Sequence, residues 1–144
     1  MSTQTLNTVL GAANFGDGPI NKIQGQPQEY VDLLKKYGFK DLDTAKAYGD
    51  SEHLIGLLNP DEQGLVIDTK VRWSLEPGAH APESIKESIK TSLQELKVKQ
   101  IHILYLHVPD RTTPFADTLK AIDEAYREGS FKKVTNNFSC FNPS

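Results

Sequence analysis

Cys140 is the only cysteine in the 144 residues, so no disulfide can form within the chain, which fits a reducing compartment. Basic residues are scattered: 16 Lys and Arg face 19 Asp and Glu for a formal charge of −3, which gives no electrostatic reason to expect nucleic acid or an anionic membrane as partner. No run approaches the roughly 20 apolar residues that a membrane-spanning helix needs. The opening Met1-Ser2-Thr3-Gln4-Thr5-Leu6-Asn7-Thr8 lacks the basic start and apolar core of a secretion signal. Metal-ligand spacing and a glycine-rich phosphate loop are also missing, so no metal is expected. These absences leave a soluble, cytoplasmic protein with a small-molecule or protein partner. An apolar content of 38% over this length supports one core and not two.

Short apolar runs alternate with helical patterns four times, the signature of repeated βα units and a parallel sheet. The first strand is expected at 9–13 and the first helix at 27–37, with Pro27 near its start, Gly38 past its end, and Tyr30, Leu33, Leu34 and Tyr37 on one face. A second strand at 39–43 leads to a short helix around 52–58. The Asn59-Pro60-Asp61 turn then precedes a third strand at 65–71. Ile85, Ile89, Leu93 and Leu96 form the stripe of a third helix, with Glu83, Lys86, Glu87 and Lys90 as its solvated side. The fourth strand, 100–108, is apolar on both parities and reads as buried on both faces. A fourth helix capped by Thr113-Pro114 should bury Phe115, Leu119, Ile122 and Tyr126 and stop at Gly129. After it, Phe131-Lys132-Lys133-Val134 reads as a fifth-strand stub, followed by a polar run without period. The domain division expected is therefore 1–134 for the βα units and 135–144 for an irregular tail.

Three of these strands end on or beside an ionisable residue: Asp43, Lys70 and His107, with Tyr48 just past the first. In a parallel sheet the carboxyl ends of the strands open on one side, so these groups should converge there. Taken singly, each has an ordinary explanation as a packing or solvated turn residue; taken together on consecutive strands they suggest a site.

The segment Asp43-Thr44-Ala45-Lys46-Ala47-Tyr48-Gly49-Asp50-Ser51-Glu52, followed by Lys70 and then by Leu106-His107-Val108-Pro109-Asp110, resembles the aldo-keto reductase superfamily. The opening Gly11-Ala12-Ala13-Asn14-Phe15-Gly16 is most similar to the fungal branch related to aflatoxin-aldehyde reductases, often found in secondary-metabolite pathways. The resemblance implies an α/β fold, an incomplete (β/α)8 barrel of about four βα units and a stub, and NADPH-dependent reduction of an aldehyde or ketone. It implies Tyr48 as the acid that protonates the alkoxide, with Lys70 lowering a phenol pKa that is otherwise near 10. By the same resemblance Asp43 holds Lys70 and lies against the nicotinamide ribose, and His107 donates to the substrate oxygen. Asn137 matches an asparagine that contacts the nicotinamide carboxamide, although of the glycine and serine that precede it in the family the first is lost and the second is replaced by Asn136. Trp73 either lines the substrate pocket or is a partly buried surface aromatic.

Complete members of the family are longer, and their grip on the cofactor phosphates comes from loops after later strands. Two readings follow: an NADP(H)-dependent reductase acting on a small carbonyl compound, which needs a homodimer or a second polypeptide that supplies the missing strands, or a catalytically inactive remnant or a scaffold pairing with a full-length reductase.

Overall fold

A computed structural model describes residues 7–16, 26–72 and 77–136. Five strands form one sheet: β1 (Val9–Gly11), β2 (Asp41–Asp43), β3 (Val66–Lys70), β4 (Ile101–Leu106) and β5 (Phe131–Asn136). Every neighbouring pair is parallel and the spatial order equals the chain order. The helices between them are α1 (Pro27–Lys36), α2 (Ser51–Leu57), α3 (Pro60–Gln63), α4 (Pro82–Leu96) and α5 (Phe115–Arg127). A doubly wound sheet reverses its strand order at a switch point; an order that never reverses is that of barrel staves. The architecture is an incomplete (β/α)8 barrel, with β1 and β5 as open edges among the described residues.

The helix side of the sheet carries two apolar clusters. Val31 and Leu34 of α1 pack with Phe15, Leu42, Ile55 and Ile67, while Ile85 and Ile89 of α4 pack with Leu104, Ile122 and Phe131; the half-buried Leu93 touches both. The α4 stripe is as its spacing implies, with Leu96 also buried. Helix α2 lies so close to α4 that a Cβ at Gly56 would run into the carbonyl oxygen of Glu95. In an unconstrained helix Gly→Ala is favourable by up to about 1 kcal/mol. Here Gly56→Ala is expected to cost about 1–3 kcal/mol through overpacking, readable as a lower urea midpoint.

Several expectations are corrected. On α1 the buried face is Val31 and Leu34 with Tyr30 half-buried, whereas Leu33 and Tyr37 are exposed. On α5 only Ile122 of the expected stripe is buried; Thr118, Ala121 and Ala125 complete the packed face and Phe115, Leu119 and Tyr126 are exposed. The buried face of the helix is thus made mostly of small side chains, and the bulky ones stay exposed. Pro114, not Thr113, is the N-cap residue of α5, because the Thr113 hydroxyl donates to Asp110 instead. The Asn59-Pro60-Asp61 turn forms the single-turn helix α3. Nor is β4 covered on both faces: Leu104 and Leu106 are buried, but Ile103 and Tyr105 only half, since no strands face them from across the barrel among the described residues. The fifth strand is no stub. It has six residues, reaches Asn136, and is paired from Ile101↔Phe131 to Leu106↔Asn136.

Candidate active site

Strand register positions the site. Asp43 ends β2 opposite Asp68, and Lys70 lies two residues further along β3 on the same side of the sheet. Lys70 Nζ is 2.7 Å from both Asp43 Oδ1 and Oδ2 and 2.8 Å from the carbonyl oxygen of Thr44. These acceptors match the three donors of an ammonium group, so a nearly buried cation is fully satisfied. Tyr48 is brought back over it by the turn in which Tyr48 N–H donates to the Ala45 carbonyl. Lys70 Nζ is 5.1 Å from the Tyr48 ring centroid and 5.5 Å from that of Tyr105, so the cation lies between two aromatic faces.

His107 follows β4 and meets Tyr48 edge to face, with ring centroids 5.9 Å apart and planes at 88°. Its buried Nδ1 has no hydrogen-bond partner among the described residues. Burial first, and the Lys70 charge second, push the imidazole below its ordinary pKa. A ring titration by NMR is therefore expected to show a midpoint below about 6.5, the value of a free histidine. With the folded value depressed, the stability that the neutral ring contributes is complete above the unfolded value and is lost as pH falls through the folded one.

The structure thus brings Asp43, Tyr48, Lys70 and His107 together at the carboxyl ends of three adjacent strands. Trp73 and Asn137 lie outside the described residues. On the inner face a cleft of about 450 Å³ is lined by Val9, Gly11, Asp43, Asp68, Lys70 and Tyr105. Burial, with Asp68 and Asp43 nearby, raises the Tyr105 pKa.

Residues that sequence reasoning did not single out support the cluster. Ser51 donates to the Ala12 carbonyl at 2.7 Å, so at the 2.8 Å contact between Thr44 Oγ1 and Ser51 Oγ the threonine is the donor. That chain fixes Thr44, whose carbonyl holds Lys70. Glu52 is fully buried and accepts from Thr69 at 2.7 Å, with Lys46 Nζ 3.5 Å away and also 2.5 Å from Glu95; burial raises the Glu52 pKa. Asp68 accepts the Ile103 N–H and contacts His102 Nδ1, both at 2.9 Å. Its parity with Lys70 along β3 was the available signal. Asp110 accepts from His80 N–H, from Thr112 N–H and from the hydroxyls of Thr112 and Thr113, tying the loop before α4 to the loop before α5. Burial opposes its charge, but these hydrogen bonds outweigh burial and hold the carboxyl well below the usual range.

A barrel-type parallel sheet with this quartet at its strand ends defines an α/β protein with a candidate site at the carboxyl side of the sheet, and comparison with known proteins makes the assignment specific. Residues 7–137 match the Aldo/keto reductase family, and the chain belongs to it. It is 36% identical over 135 residues to Oxidoreductase sirO of Leptosphaeria maculans, covering 86% of this chain and 40% of that protein. It is 34% identical over 135 residues to Aflatoxin B1 aldehyde reductase member 2 of Homo sapiens, covering 88% and 36%. Among solved structures, the thermostable aldo-keto reductase Tm1743 superposes with a TM-score of 0.74 at 27% identity, over 95% of this chain and 52% of that one. The chain therefore spans about two fifths of the length of these curated relatives.

Proposed function

We propose that this chain carries the catalytic half of an NADPH-dependent oxidoreductase that reduces an aldehyde or ketone to an alcohol. The observation that carries the reading is the convergence of Asp43, Tyr48, Lys70 and His107 on one side of the sheet. A nicotinamide cofactor supplies the hydride when bound. The residues present fit such a group: Gly11 and Asp43 are paired in register beside the cleft, and no described residue lies within 4 Å of where a Cβ on Gly11 would be. Asp43 keeps about a third of its side chain open while holding Lys70, leaving room for a ribose. Asp43 and Asn137 would hold the cofactor.

In this reading Tyr48 delivers the proton to the carbonyl oxygen as negative charge develops, and Lys70, held by Asp43 and Thr44, favours the phenolate that remains. A neutral His107 donates through one ring nitrogen to the substrate oxygen and orients it. Trp73 would line the substrate pocket. A cytoplasmic location and a role in secondary-metabolite formation complete the proposal. Among the described residues no helix is long and apolar enough to cross a membrane.

The test is a thermal unfolding scan with and without NADPH. A ligand that binds only the folded state stabilises it by about 2.7 kcal/mol at a hundred times its dissociation constant, so the midpoint should rise. An unchanged midpoint at millimolar NADPH overturns the reading. It would then favour a scaffold without catalysis.

A further inference from the structure

Glu52 is a buried ionisable group for which the proposed chemistry has no task. It is the second residue of α2, it is fully buried, and its Oε2 makes no hydrogen bond among the described residues. Burial raises its pKa, while the Thr69 and Ser92 hydroxyls and the Lys46 ammonium favour the ionised form. A carboxylate in such a place is costly, and an apolar side chain of like volume often holds a fold at least as well. What an apolar side chain cannot supply is direction. Glu52 Oε1 accepts the Thr69 hydroxyl at 2.7 Å, and Oε2 faces Lys46 Nζ at 3.5 Å.

Both partners adjoin the candidate site. Thr69 directly precedes Lys70 on β3, with its side chain on the helix side and that of Lys70 on the inner face, so holding the one steadies the backbone that carries the other. Lys46 belongs to the turn that brings Tyr48 back over Lys70: Lys46 N–H donates to the Lys70 carbonyl at 3.5 Å, and Tyr48 N–H to that of Ala45 at 2.9 Å. The Lys46 side chain is 19% exposed and lies between Glu52 and Glu95 of α4. We propose that Glu52 is a positioning residue, which through Thr69 and Lys46 ties the strand that ends in Lys70 to the turn that carries Tyr48. Its consequence for turnover rests on the reductase reading, whereas its consequence for the placement of Tyr48 does not. Lys70 Nζ is 5.1 Å from the Tyr48 ring centroid, and a misplacement of about 1 Å in a reacting group can cost about 10²-fold in rate.

Glu52→Gln is the test, because the carboxamide keeps the volume and an oxygen for Thr69 but loses the charge that faces Lys46. Turnover of an aldehyde should fall about tenfold, with the KM values for aldehyde and NADPH within about twofold, while the thermal midpoint stays or rises. A residue that only held the fold together would move midpoint and turnover in step. Independently of turnover, NMR cross-peaks between the Tyr48 and His107 rings, whose centroids are 5.9 Å apart, should weaken in the variant. Lys46→Met keeps the apolar stem and removes the cation, so it should reproduce both effects. The double variant should be no worse than either single one, because both changes break the same contact. If Glu52→Gln does not fold, Lys46→Met decides by the same two measurements. Ring cross-peaks unchanged in the variants overturn the proposal, as do turnover lost only in step with the midpoint and losses that add in the double variant. A parent chain without turnover would count against the reductase reading alone, and the ring contact would then decide whether Glu52 positions Tyr48.

Discussion

Tyr48→Phe is expected to lower carbonyl turnover by about 10²- to 10⁴-fold, the contribution of a well-placed general acid, while hardly moving the thermal midpoint. The substitution removes one oxygen and keeps the ring. The edge-to-face contact with His107 and the position of Lys70 over the ring both depend on the ring, so Phe preserves them. Lys70 is held independently of the phenol, by Asp43 and the Thr44 carbonyl, so its placement should survive as well. Loss of proton delivery with the structure retained is thus separable from misfolding. Steady-state kinetics with an aldehyde, beside an unfolding scan, make the comparison. Turnover retained by the variant would remove Tyr48 from the mechanism. A large fall in midpoint would show that the hydroxyl has a structural duty instead.

Phe131→Ala should destabilise the fold by about 3–5 kcal/mol, a large share of the 5–15 kcal/mol that holds a typical domain together. Phe131 is almost fully buried where β5 begins, in the cluster formed by Ile101, Ile122 and Ala125, and its ring centroid is 5.8 Å from that of Tyr126. Removing it leaves a cavity between α5 and the sheet at the strand that holds one end together. If β5 were a loosely attached stub, the substitution would cost under about 1 kcal/mol. Denaturant unfolding of the two chains decides the matter, and an unchanged midpoint would mean that the edge strand contributes little to the domain.

The candidate site was legible in the sequence because its members are strand-end residues. In a repeating βα pattern, the end of each strand can be located from its apolar run, and the side on which all such ends open follows from the parallel arrangement. Asp43, Lys70 and His107 could therefore be expected to converge, and they do. What the motif did not reveal is the partner that satisfies Lys70 beside Asp43. The Thr44 carbonyl, and the Thr44 to Ser51 to Ala12 chain that steadies it, involve a backbone atom and two hydroxyls whose partners lie as far as 39 residues away in sequence. The fully buried Glu52 was likewise hidden within the quoted motif, because burial of a carboxylate is a property of the packed neighbours Thr69 and Lys46, not of its own spacing.

Alternation of strand and helix, the single core and the α4 stripe belong to the sequence itself, since hydrophobic period is a local property that needs no partner to be read. The choice between faces does not. On α5 the stripe of Phe115, Leu119, Ile122 and Tyr126 and the stripe of Thr118, Ala121, Ile122 and Ala125 both have helical spacing. Only the position of the sheet decides that the small residues go inside. The same holds for β5: Lys132, Lys133 and Thr135 have little intrinsic claim to a strand, yet the chain is extended there because its backbone groups pair with β4. Lysines are at home on such an edge, where one side of the strand faces solvent. Local pattern thus determined the alternation of strand and helix and which strand ends bear ionisable groups, whereas tertiary packing decided the extent of β5 and which faces are covered, because pairing and burial depend on what lies opposite.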